Sequence, residues 1–86
     1  FEKIINLGFL IDQDISDKQI NSLIEEIRKI SYELKFISMS RTDKSTTINL
    51  DVKPKEFSKL TLLSEDIKKQ FKDSKVVMAY NEDLSL

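Results

Sequence analysis

Ile15–Ile30, ISDKQINSLIEEIRKI, reads as an amphipathic helix with a marked beginning, and its reading decides the fold. Ser16 and Gln19 have the spacing of a capping box: the hydroxyl accepts from the third helical amide, and the glutamine side chain reaches back to the cap. Ile15 before the cap and Ile20 at the fourth helical position supply the matching hydrophobic staple. Ile20, Leu23, Ile24, Ile27 and Ile30 then recur at the spacings that build one apolar stripe. Lys18, Asn21, Ser22, Glu25, Glu26, Arg28 and Lys29 occupy the other side. A helix of this kind must lay its stripe on a surface, and the flanking segments with a period of two are the candidates.

Upstream, Ile4–Ile11 (IINLGFLI) predicts a strand with Ile5, Leu7, Phe9 and Ile11 on one face and Ile4, Asn6, Gly8 and Leu10 on the other. Gly8 inside it marks either a bulge or a close approach by another group. Downstream the period is again two. Leu34 and Phe36 fall on one face of a second strand, with Ile37, Met39 and Arg41 on the other. Thr42–Ser45 is a polar turn, and Thr46, Ile48, Leu50 and Val52 alternate against Thr47, Asn49, Asp51 and Lys53, so the two runs form a hairpin. Pro54 ends the third strand and suits the first turn of another helix. The stripe of that helix is Phe57, Leu60, Leu63 or Ser64, Ile67 and Phe71. Lys75–Tyr80 (KVVMAY) is the last strand, apolar on both faces, and Asn81–Leu86 is a polar tail expected to fray.

Strand, helix, strand, strand, helix, strand with right-handed crossovers closes as an α+β, ferredoxin-like βαββαβ two-layer sandwich. The expected antiparallel sheet order is 4-1-3-2, with both helices on one face. The 86 residues make a single domain. Its start at Phe1, inside an apolar segment, gives the expectation of a piece excised from a longer protein.

Composition removes most chemistries. With 14 basic and 15 acidic side chains and a net charge of −1, nothing draws the chain as a whole to nucleic acid or an anionic membrane. No apolar run approaches the roughly 20 residues of a membrane-spanning helix, so no direct membrane insertion is expected of this segment. The absence of cysteine rules out thiolate chemistry and thiolate metal sites. The absence of histidine removes the usual proton shuttle near neutral pH and leaves the serines without a histidine to activate them. No enzyme activity, cofactor or metal site is therefore expected. Sheet-face RNA binding needs stacking aromatics on the outer positions of the first and third strands, which carry none.

Two candidate regions remain. Asp12, Asp14 and Ser16, between the first strand and the first helix, could line a small-ligand or cation-sensing loop. A calcium loop would want glycine at the sixth position and glutamate at the twelfth, where this chain has Asp17 and Leu23. The second candidate is apolar surface on the open side of the sheet: Ile4, Leu10, Ile37, Met39, Val77 and Met78, a contact for a homodimer or for neighbouring domains of a parent protein. Either outer strand could pair, and the apolar Val76–Tyr80 edge is the preferred one.

The succession IINLGFLI, SDKQINSLIEEIRKI, YELKFISMSRTDKSTTINLDV and KVVMAY resembles the ACT-type regulatory domains. It is similar in particular to the cytosolic C-terminal domains of bacterial polytopic membrane proteins of the MgtC kind. The resemblance implies a non-catalytic regulatory or protein-interaction domain, cytoplasmic and attached to an inner-membrane protein. It carries over no functional residue. The glycine that ligand-binding ACT domains commonly place after the first strand is replaced here by Asp12-Gln13-Asp14-Ile15.

Overall fold

The computed structural model describes residues 3–81. Its elements are β1 (Ile4–Ile11), α1 (Asp17–Lys29), β2 (Ser31–Arg41), β3 (Thr46–Pro54), α2 (Phe57–Gln70) and β4 (Ser74–Asn81). One antiparallel sheet runs β2-β3-β1-β4, which is the expected order read from the other edge. The arrangement is ferredoxin-like. The expected polar tail is corrected at its start, because Asn81 belongs to β4 opposite Ile4; Phe1 and residues 82–86 lie outside the described residues.

The capping box forms as its spacing requires. Ser16 Oγ accepts from Gln19 N at 3.1 Å, and Gln19 Oε1 accepts from Ser16 N at 2.9 Å. Ile20, Leu23 and Ile27 are buried, and they meet Ile5, Leu7, Phe9 and Ile11 of β1, Ile48, Leu50 and Val52 of β3, and Leu60, Ile67 and Phe71 from the second helical segment. Ser64 takes the buried place on α2, whereas Leu63 is half-buried and Phe57 is exposed. Pro54 closes β3 and is buried there, and α2 begins three residues later after Glu56, which makes no side-chain cap. Its expected place in the first helical turn is thus corrected: Lys55 N donates to Ile30 O at 2.9 Å and keeps the chain extended beyond the proline.

Of the two readings of Gly8, a bulge or a close approach, the bulge is absent. β1 pairs in unbroken register with β3 and β4 through this residue. A Cβ built on Gly8 would lie 3.9 Å from Val77 O and 4.0 Å from Val77 Cβ, which is ordinary contact. Gly8→Ala is therefore expected to fold normally and to be as stable as the parent or up to about 1 kcal/mol more so, because the unfolded chain loses freedom. Urea denaturation checks this, and a loss above about 1 kcal/mol would show that the glycine is needed within the fold.

The irregularities lie in β2 instead, between Ser31 and Glu33 and between Phe36 and Ser38. An extra residue in one strand shifts the phase of every side chain after it. Leu34 and Phe36 stand opposite Val52 and Leu50, on the core side. After the second bulge Met39 stands opposite Ile48 and Arg41 opposite Thr46, again on the core side. The expectation that Met39 and Arg41 face the open side with Ile37 is corrected by that one extra residue.

Candidate functional site

The open face of the sheet has a polar centre. Asn6 Nδ2 donates to Asn49 Oδ1 at 2.6 Å and to Asp51 Oδ1 at 2.9 Å, bridging the middle of β1 to the middle of β3. These side chains occupy the alternate positions between the buried residues of the same strands, so the alternation of period two places them outward. Of the six expected interface residues, Ile4, Leu10, Ile37 and Val77 are exposed. They do not form one patch. Ile4 and Leu10 sit at opposite ends of β1, while Ile37 and Val77 belong to opposite edge strands.

Met78 is a correction. It pairs with buried Leu7 and packs against the core, since residues directly opposite in an antiparallel pair share a face. Met39, on the core side by register, nevertheless remains 42% exposed.

Exposed apolar surface concentrates on β2, an edge strand. Tyr32 is 66% exposed, Phe36 47%, Ile37 44% and Met39 42%. The opposite edge, β4, keeps Val76 and Met78 against the core and exposes Val77 at 64%. β2 can expose apolar groups on both sides because it is an outer strand of the sheet, with β3 as its sole neighbour among the described residues. Lys55 Nζ lies 6.0 Å from the centre of the Tyr32 ring, at the outer range of a cation–π contact.

The loop holding Asp12, Asp14 and Ser16 is built as a latch. Ser16 uses its hydroxyl on the helix cap. Arg41 reaches across from the end of β2, donating to Asp17 Oδ1 at 2.6 Å, to Asp14 Oδ1 at 3.2 Å and to Ile15 O at 2.6 Å. The hydrogen bond to Asp17 raises the arginine pKa most, so the guanidinium is held firmly charged. Thr46, fully buried, accepts from Ile15 N at 3.4 Å and donates to Gln13 O at 3.1 Å. The negative charge that could attract a cation is thus partly met by Arg41, and Asp12 remains exposed beside it. Neither Arg41 nor Thr46 announces this role in the sequence, because both bind residues 24 to 33 positions away.

Among the described residues no group of three or more Asp or Glu side chains is placed to share a metal ion. No buried side-chain nitrogen or oxygen among them lacks a hydrogen-bond partner. No helix among them is long and apolar enough to cross a membrane.

No protein-family model matches the chain, and no curated protein matches it. Among solved structures, the fold is similar to the de novo designed protein Foldit4, with a TM-score of 0.62, 15% identity, and coverage of 94% of this chain and 97% of that one. A second designed protein, LFR1 1 with ferredoxin fold, known from solution NMR, matches at a TM-score of 0.45 and 14% identity, covering 95% of this chain and 88% of its own. At 15% identity the likeness to Foldit4 concerns the fold alone.

Proposed function

We propose that this chain is a non-catalytic interaction domain that associates with a second copy of itself through the free edge of β2. The observation that carries the reading is the concentration of exposed apolar side chains, Tyr32, Phe36, Ile37 and Met39, on one strand whose outer edge is unpaired among the described residues. Unpaired edges of this kind offer a row of amides and carbonyls to any strand that meets them. The open face is the weaker surface, because the Asn6, Asn49 and Asp51 cluster divides its apolar groups. A regulatory role, in which pairing reports on the state of a larger parent protein, is part of the same proposal and is what the resemblance to ACT-type domains implies.

A strand-edge contact buries less than the roughly 1,200 Å² of a standard interface, so the pairing belongs among weak, concentration-dependent ones. Sedimentation equilibrium between roughly 5 and 500 μM is the deciding measurement, the range in which such affinities lie. The expected result is a monomer–dimer equilibrium that Tyr32→Ser and Phe36→Ser shift toward monomer. A monomer at every concentration would overturn the reading and turn attention to contacts with other domains.

A further inference from the structure

We infer that the two copies meet in one antiparallel register, centred on Leu34, in which Glu33 of each chain stands opposite Lys35 of the other. This rests on the self-association proposed above and adds its geometry. Between its two bulges β2 has one regular segment, where Glu33, Leu34, Lys35 and Phe36 stand opposite Lys53, Val52, Asp51 and Leu50 of β3. Leu34 faces the core side with Val52, so Glu33 and Lys35 both face the open side.

A two-fold axis at Leu34 gives two Glu33–Lys35 pairs at once, since a two-fold interface repeats every contact. The charges then alternate across four strands: Lys53, Glu33, then Lys35 and Asp51 of the second copy, and the same row again in reverse. Opposite charges placed directly across a strand pair stabilise it, and like charges destabilise it. Neighbouring registers lack this match. A centre at Glu33 sets glutamate against glutamate, and a centre at Lys35 sets lysine against lysine. A register shifted by a single residue puts side chains of opposite faces together. The β4 edge carries no such signature, because from Ser74 to Ala79 its single charge is Lys75. The bulges bounding the segment end regular pairing on either side and so restrict sliding into other registers.

The test uses two charge variants, Glu33→Lys and Lys35→Glu. Each places like charges at both positions of its own dimer, and each is expected to self-associate about tenfold more weakly than the parent, the sum of several cross-strand terms. Mixed in equal amounts, they regain two opposite-charge pairs and are expected to form a heterodimer of about parental affinity, read by native mass spectrometry and sedimentation. Each substitution also sets a like charge against β3, at Lys53 or Asp51, so thermal melts accompany the measurement. Recovery in the mixture uses the same chains that fail alone, so a loss of folding cannot imitate it. A parent dimer whose variants self-associate unchanged, or whose mixture does not recover, would overturn this register and leave self-association standing. A parent that never dimerises would overturn both.

Discussion

Ile27→Ala is expected to lower stability by about 2–5 kcal/mol, the range for truncating a fully buried isoleucine. At roughly 0.05–0.15 kcal/mol per residue an 86-residue domain holds about 4–13 kcal/mol in total, so this single truncation removes a large share of the stability. Ile27 has no exposed surface and lies in the core beside Leu7, Phe9, Leu60 and Ile67. It therefore joins α1 both to the sheet and to α2. Alanine is the better helix former, so the loss isolates packing from backbone preference. Urea denaturation followed by circular dichroism gives the value, with Ile30→Ala, a half-buried C-cap position, expected to cost clearly less. A loss below about 1 kcal/mol at Ile27 would mean that the helix is not held by this stripe.

Thr46→Val is expected to cost about 1–3 kcal/mol although the two side chains have nearly the same shape, because two polar groups lose their partner. The hydroxyl accepts from the buried amide of Ile15 at 3.4 Å and donates to Gln13 O at 3.1 Å. Valine fills the space and offers neither bond. Hydrogen exchange should show faster exchange at Ile15, while the Ile20 amide, bonded within the helix start to Ser16 O at 3.0 Å, is much less affected. Thr46→Ser keeps the hydroxyl and is expected to preserve the protection of Ile15. Equal exchange at Ile15 in valine, serine and parent proteins would show that the threonine does not secure the loop.

Both expectations follow from contacts of unequal legibility. The burial of Ile27 is written in the 3, 4 and 7 spacing of its helix, and the capping box at Ser16 and Gln19 is a local pattern satisfied by residues three apart. The latch is different in kind. Thr46 could be placed on the core face of β3 by alternation, but its bonds to Gln13 and Ile15 depend on the hairpin end returning beside the helix start. Simple alternation phases Arg41 outward, and the bulge at Ile37 and Ser38 turns it inward toward Asp14 and Asp17.

The apolar pattern of β2 carries a trace of that bulge. Leu34 and Phe36 share one phase and Ile37, Met39 and Arg41 the other, a slip of one residue within a single strand. Such a slip has two meanings, a strand apolar on both faces or a strand with an extra residue, and only pairing with β3 separates them. Met78 poses the same problem more simply. In a strand apolar at Val76, Val77 and Met78, composition does not say which side the core lies on, and the pairing of Met78 with Leu7 does.

By itself the sequence determined the six elements, their order, the helix that covers the sheet and the buried faces of β1 and β3, because these follow from periodicity and capping within a few residues. The tertiary structure alone decided the phase of β2, the engagement of the acidic loop by Arg41 and Thr46, and the gathering of exposed apolar groups on one free edge. Those depend on which distant strand lies alongside and at what register, and a one-residue shift there reverses every side chain that follows.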